Sequence, residues 1–133
     1  MSILVLVVSA LLIGTKFLDC YSTIRRLDLP KEELNPFARA AIIRLGKGTA
    51  IWGVFVIVII VVAIVGGTAY AQIGGLPDDP EGAIPRLIIV WGYVLIGLVI
   101  SGIQTCVAHT NWTGRFNIVT RILAARGKGV NPG

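Results

Sequence analysis

The chain has 133 residues, of which 55% are hydrophobic and only 14% charged, and its net charge is +5. That length makes one domain, and apolar residues gathered in such long blocks exceed what a soluble core of this size buries, so a soluble globular protein is excluded. The Lys and Arg residues form no surface stripe with a reading motif, which argues against nucleic acid as a partner.

The first apolar segment starts at Ser2 and reaches Asp19, with Lys16 as its only earlier charge. MSILVLVVSALLIG lacks the basic flank of a cleaved secretory signal and is expected to remain as a span. Ala10 and Gly14 lie four apart, and Thr15, Asp19 and Thr23 follow at further steps of four. The connection DCYSTIRRLDLPKEELNP then turns at Asp28-Leu29-Pro30. Asn35 is a favoured N-cap and Pro36 suits a first helical position, so a short helix is predicted over about 36–46, with Gly46 near its end. Its apolar residues alternate with Arg39 and Arg44, which predicts an element lying on the membrane surface; Arg25, Arg26, Arg39, Arg44, Arg115, Arg121 and Arg126 are all expected to meet anionic lipid head groups.

The second segment, about 49–71, contains no charge, and Ala63, Gly67 and Ala71 recur along it at steps of four. Ala69-Tyr70-Ala71 has the small-residue look of a cleavage site, but the apolar run before it is too long for a signal sequence. The third segment, about 87–110, is also uncharged and carries Gly97, Ser101, Thr105 and His109 at steps of four. In the tail, Phe116, Val119, Ile122 and Leu123 fall at helical spacing among Arg115, Arg121 and Arg126, predicting a second basic interfacial helix over about 114–126. Each long segment approaches the roughly 20 residues a helix needs to cross hydrocarbon. Continuous apolar runs such as VFVIVIIVVAIVGG are unlike the alternation of a barrel strand. The predicted fold is an all-α integral membrane domain spanning 1–133, with three transmembrane helices.

Ten Lys and Arg residues fall on one side of such a three-span chain: Arg25, Arg26, Lys31, Arg39, Arg44 and Lys47 after span one, and Arg115, Arg121, Arg126 and Lys128 in the tail. The other side has Arg86 alone. The positive-inside rule then places the N-terminus outside and the C-terminus in the cytoplasm. Trp52 and Trp112 mark the inner borders, and Tyr70, Trp91 and Tyr93 the outer ones. The Asn111-Trp112-Thr113 sequon falls on the cytoplasmic side and carries no weight.

Small and hydroxyl residues in spans mark helix contacts, so Gly14, Ala63, Gly67, Gly97, Ser101 and Thr105 are assigned to packing, within the chain or against partner subunits. A polar cluster is expected at the inner ends, where Asp19, Thr23 and His109 meet at similar depth and Glu33 and Asn35 reach in from the connection. Lys16 or Arg26 is expected to neutralise Asp19. The group reads either as hydrogen bonding between helix ends or as a proton- or metal-handling site. One histidine with no paired His or Cys spacing makes a poor metal signature, so no metal or cofactor is predicted beyond bound lipids. Cys20 and Cys106 read as free thiols.

D-x-x-x-T at the end of span one (Asp19, Thr23) and E-x-N-P before the short helix (Glu33, Asn35, Pro36) resemble the pattern of a family of small prokaryotic multi-span membrane proteins of unknown function. The resemblance covers about the first 45 residues. It implies a three- or four-span helical fold in a prokaryotic inner membrane and supplies no reaction. No catalytic signature occurs elsewhere. The leading expectation is an accessory subunit of a larger membrane complex. A small membrane enzyme or cofactor-binding protein, and an oligomeric transporter or channel, are the alternatives.

Overall fold

A computed structural model describes residues 1–26, 36–74, 80–114 and 121–122. Four helices occur among them: α1 (Ser2–Arg26), α2 (Pro36–Leu45), α3 (Lys47–Gly74) and α4 (Pro80–Thr113). α1, α3 and the Ala83–Thr113 part of α4 are long and apolar enough to cross a membrane. Three such helices are compatible with a multi-pass membrane protein.

Each long helix overruns its apolar segment. α1 continues seven residues past Asp19, to Arg26, and α4 begins at Pro80 rather than near Leu87. Loss of hydropathy marks the end of the hydrocarbon, not of the helix, whose backbone bonds close as well in the head-group layer. At 1.5 Å per residue α1 is about 37 Å long, beyond the roughly 30 Å of a hydrocarbon core. Pro80 fits the first position of α4, where its missing N–H bonds nothing; Pro85, inside the helix, leaves the Glu81 carbonyl without its donor and crowds it with the ring.

α2 ends at Gly46, whose φ of +82° is open to glycine at no steric cost. The Gly46 N–H donates to the Ile42 carbonyl at 3.0 Å, and α3 starts at once. α2 packs mainly against α3, through Ile42 on Ala50.

α1 and α4 run parallel and α3 antiparallel to both. Val5 packs with Ala69 and Val90 near one end, and Val8 and Leu12 with Val62 and Val94 nearer the middle. The α1–α4 seam is the most extensive, and its register is regular. Thr15 pairs with Gln104 and Ser22 with Asn111, both at a sequence separation of 89. Val8 presses on Gly97 at the same offset. Val8, Thr15 and Ser22 are seven apart, as are Gly97, Gln104 and Asn111. A seven-residue repeat keeps one face toward its partner to within about 20° per repeat, the pattern of left-handed helix packing. Gly97 allows the closest approach: a Cβ there would collide with Val8 Cγ1 and stand 3.3 Å from Leu12 Cδ1.

Candidate functional site

Thr15, Lys16, Asp19, Cys20, Ser22, Thr23 and Arg26 gather at one end of the bundle, on the last three turns of α1. Asp19 continues the seven-residue row of Val5 and Leu12, so its carboxylate sits on the inner side of α1. Lys16 Nζ donates to Asp19 Oδ2 at 2.7 Å, and the two side chains are 17% and 15% exposed. Pairing cancels the charge that either group would otherwise bring to a span. The Asp19 backbone carbonyl accepts from Thr23 Oγ1 at 2.8 Å and Ser22 Oγ at 2.9 Å. Asp19 and Thr23, the D-x-x-x-T pair, are thus joined within a single helix turn.

The tie from α1 to α4 runs through Asn111. Its Nδ2 donates to Thr23 Oγ1 at 3.1 Å and Ser22 Oγ at 3.3 Å. Arg26 Nη1 donates to the Thr110 carbonyl at 3.3 Å and to Asn111 Oδ1 at 3.4 Å. One layer deeper, Thr15 Oγ1 donates to Gln104 Oε1 at 2.7 Å. α3 joins through Lys47 Nζ, which donates to the Ile24 carbonyl at 2.9 Å, and through the Cys20 thiol, which points at the Ile51 carbonyl at 3.8 Å. Lys47 thereby meets one of the last α1 carbonyls, which lack partners in their own helix.

His109 does not face the interior of the bundle. It is exposed, and its carbonyl accepts from Thr113. The reason is rotational. A step of four advances about 40° around a helix, so the row Gly97, Ser101, Thr105, His109 turns through about 120°. Gly97 and Ser101 are buried, while Thr105 and His109 face out. Ser101 Oγ is buried without a hydrogen-bond partner. Among the other small residues assigned to packing, Gly14 and Gly67 meet nothing within 4 Å where a Cβ would stand, and Ala63 is exposed. Gly66, not Gly67, is the close contact: its Cβ would lie 2.8 Å from Tyr93 Oη and 2.9 Å from Ser9 Oγ, which bond each other at 2.6 Å. Tyr93, expected in an interfacial belt, therefore turns its hydroxyl into the bundle.

Glu33, Asn35, Arg115 and Arg126 lie outside the described residues, as does most of the helix expected over 114–126. Arg25, Arg26, Arg44 and Arg121 are exposed, and Arg39 is half-buried with a polar or electrostatic partner of its own. Cys20 and Cys106 are unpaired by disulfide. Among the described residues no three His, Cys, Asp or Glu side chains stand close enough to hold a metal ion.

The residues that reading by steps of four passes over are Ser9, Ser22, Tyr93, Gln104 and Asn111. Gln104 and Asn111 carried a usable signal, since amides seven apart in or beside an apolar span are rare and seek partners. A groove of about 370 Å³ between α1 and α3 is almost wholly apolar, with Ala63, Gly66 and Gly67 along its α3 side and Leu6 and Ile13 along α1. No family model, curated protein or solved structure matches the chain.

Proposed function

We propose that the chain is a structural subunit packed within, or at the edge of, a larger membrane complex, and that it joins its partner through the outward face of α3. The observation that supports this is the different use of small residues. Gly66 and Gly97 admit neighbouring helices inside the chain, while Ala63, Gly67 and Ala71 form an exposed row on α3 beside the open groove. Helices in lipid gain no hydrophobic energy from association, and rows of small residues are where backbones approach closely enough for dispersion to act. Thr15, Ser22, Thr23, Gln104 and Asn111, by contrast, tie the chain's own helices together.

The ten-to-one split of Lys and Arg supports an N-terminus outside and a C-terminus in the cytoplasm; the prokaryotic inner membrane is proposed from the D-x-x-x-T and E-x-N-P resemblance alone. α2 would then lie along the inner surface with Arg44 toward anionic head groups. Labelling of single cysteines placed at Gly82 and Gly129 of a cysteine-free chain tests the orientation: the two must react from opposite sides.

Purification in mild detergent, followed by mass spectrometry of co-migrating proteins, tests the subunit reading. A partner is expected to stay with the wild type and to be lost with Gly67→Leu, while Gly102→Leu, an outward change on α4, keeps it. A chain running alone at 14.2 kDa would overturn the proposal. An oligomer of this chain alone would favour the transporter alternative. A second reading, a polar centre working at the inner end of the bundle, is favoured by the Lys16–Asp19 pair inside a span. Its signature is a host complex that assembles normally with Asp19→Asn but loses activity.

A further inference from the structure

The outward face of α1 changes character along its length. Ala10, Gly14, Phe17, Tyr21 and Arg25 fall within about 80° of one another at 100° per residue, and so form one strip. Its deep part is small and open: Ala10 is exposed, and nothing stands within 4 Å of where a Gly14 Cβ would be. Its middle is aromatic. Phe17 and Tyr21 stack with centroids 6.1 Å apart and planes 8° from parallel. Trp52 and Phe55 of α3 flank Phe17 at 5.8 and 5.9 Å, and Trp112 of α4 flanks Tyr21 at 6.3 Å. The end of the strip is cationic, with the Arg25 guanidinium carbon 4.9 Å from the centre of the Tyr21 ring.

We propose that this strip binds one anionic phospholipid, its phosphodiester on Arg25, its glycerol esters beside Tyr21 and Trp112, and one acyl chain along Phe17 into the gap over Gly14 and Ala10. Charge and length both match. The ring fixes one face of the guanidinium and leaves its N–H edges free to fork onto a phosphate, a match that lysine lacks. The neighbouring carboxylate, Asp19, is already held by Lys16. Gly14 and Arg25 are separated by about 16 Å along the helix, half of a roughly 30 Å hydrocarbon core, which is the reach of one leaflet. Arg26, next in the chain, differs: its Nη1 turns toward α4, to the Thr110 carbonyl and Asn111 Oδ1. The strip uses α1 residues other than the α3 row assigned to a protein partner, and the isolated chain suffices to test it.

The full chain is purified in detergent and offered phosphatidylglycerol and phosphatidylcholine with identical acyl chains, and the lipid retained per chain is read by native mass spectrometry. One phosphatidylglycerol is expected to be retained in preference. Arg25→Gln should lower that preference about fivefold, the effect of one arginine at an anionic surface, while Arg86→Gln, the same loss of charge at the opposite end of the bundle, leaves it intact. Gly14→Leu should reduce retention of both lipids without changing their ratio. Inorganic phosphate should not displace the lipid. Equal retention of the two lipids by the wild type overturns the site. An Arg86→Gln loss as large as that of Arg25→Gln would reduce it to general surface charge. Full displacement by phosphate would leave an anion site with no lipid specificity.

Discussion

Gly97 is where the α1–α4 seam is most exposed to a test. Gly97→Ala adds one methyl group, and that methyl collides with Cγ1 of Val8, a fully buried side chain, and approaches Leu12 at 3.3 Å. Val8 is β-branched and holds a single preferred χ1 rotamer in a helix, so it cannot swing aside cheaply. The helices must separate, or Val8 must leave its rotamer, at about 1–3 kcal/mol for overpacking of this kind. Alanine also favours the helix over glycine by up to about 1 kcal/mol, which partly masks the clash. Gly102→Ala on the same helix supplies the correction, because a Cβ there meets nothing within 4 Å and only the propensity gain remains. Unfolding of the purified chain by titration with a denaturing detergent, followed by circular dichroism, measures both. Gly97→Ala is expected to be less stable than Gly102→Ala by about 1–3 kcal/mol. Val8→Ala in the Gly97→Ala background should return at least about 1 kcal/mol as coupling in a double-mutant cycle. A Gly97→Ala chain as stable as Gly102→Ala, with no coupling to Val8, would refute the seam and its 89-residue register.

In the same unfolding assay, Asn111→Ala and Thr23→Val should each weaken the bundle by about 0.6 kcal/mol and should be non-additive, since each removes one end of the same interhelical bond. Gly66→Ala should displace the Ser9–Tyr93 bond and cost about 1–3 kcal/mol, and Tyr93→Phe should restore part of that loss by vacating the space the new methyl needs. Asp19→Leu strips the counter-ion from Lys16 and should lower the yield of inserted protein, with a ceiling of about 2.5–3.5 kcal/mol, the cost of a charge at a span centre. Replacing both Lys16 and Asp19 by Leu should recover the yield; unchanged insertion of the single variant would show that the pair is not needed.

The sequence by itself determined the three long helices and the short helix ending at Gly46. Each rests on a property that a residue carries alone or with its chain neighbours. Hydropathy summed over some twenty positions decides whether a segment enters lipid, and Pro36 and Gly46 dictate local backbone angles whatever surrounds them. The Lys16–Asp19 pair was legible for the same reason, being one helical turn apart.

Only the tertiary structure decided which faces meet. Gly66 and Gly67 are adjacent and chemically identical, yet one touches Tyr93 and the other faces out, because about 100° of rotation separates them. Likewise His109 and Asn111 are two residues apart at the same end of α4, and it is Asn111 that reaches Thr23. Steps of four drift off the contact face and steps of seven stay on it. Neither spacing is preferred until a second helix lies alongside, and the identity and register of that neighbour are properties of the bundle, not of any one segment.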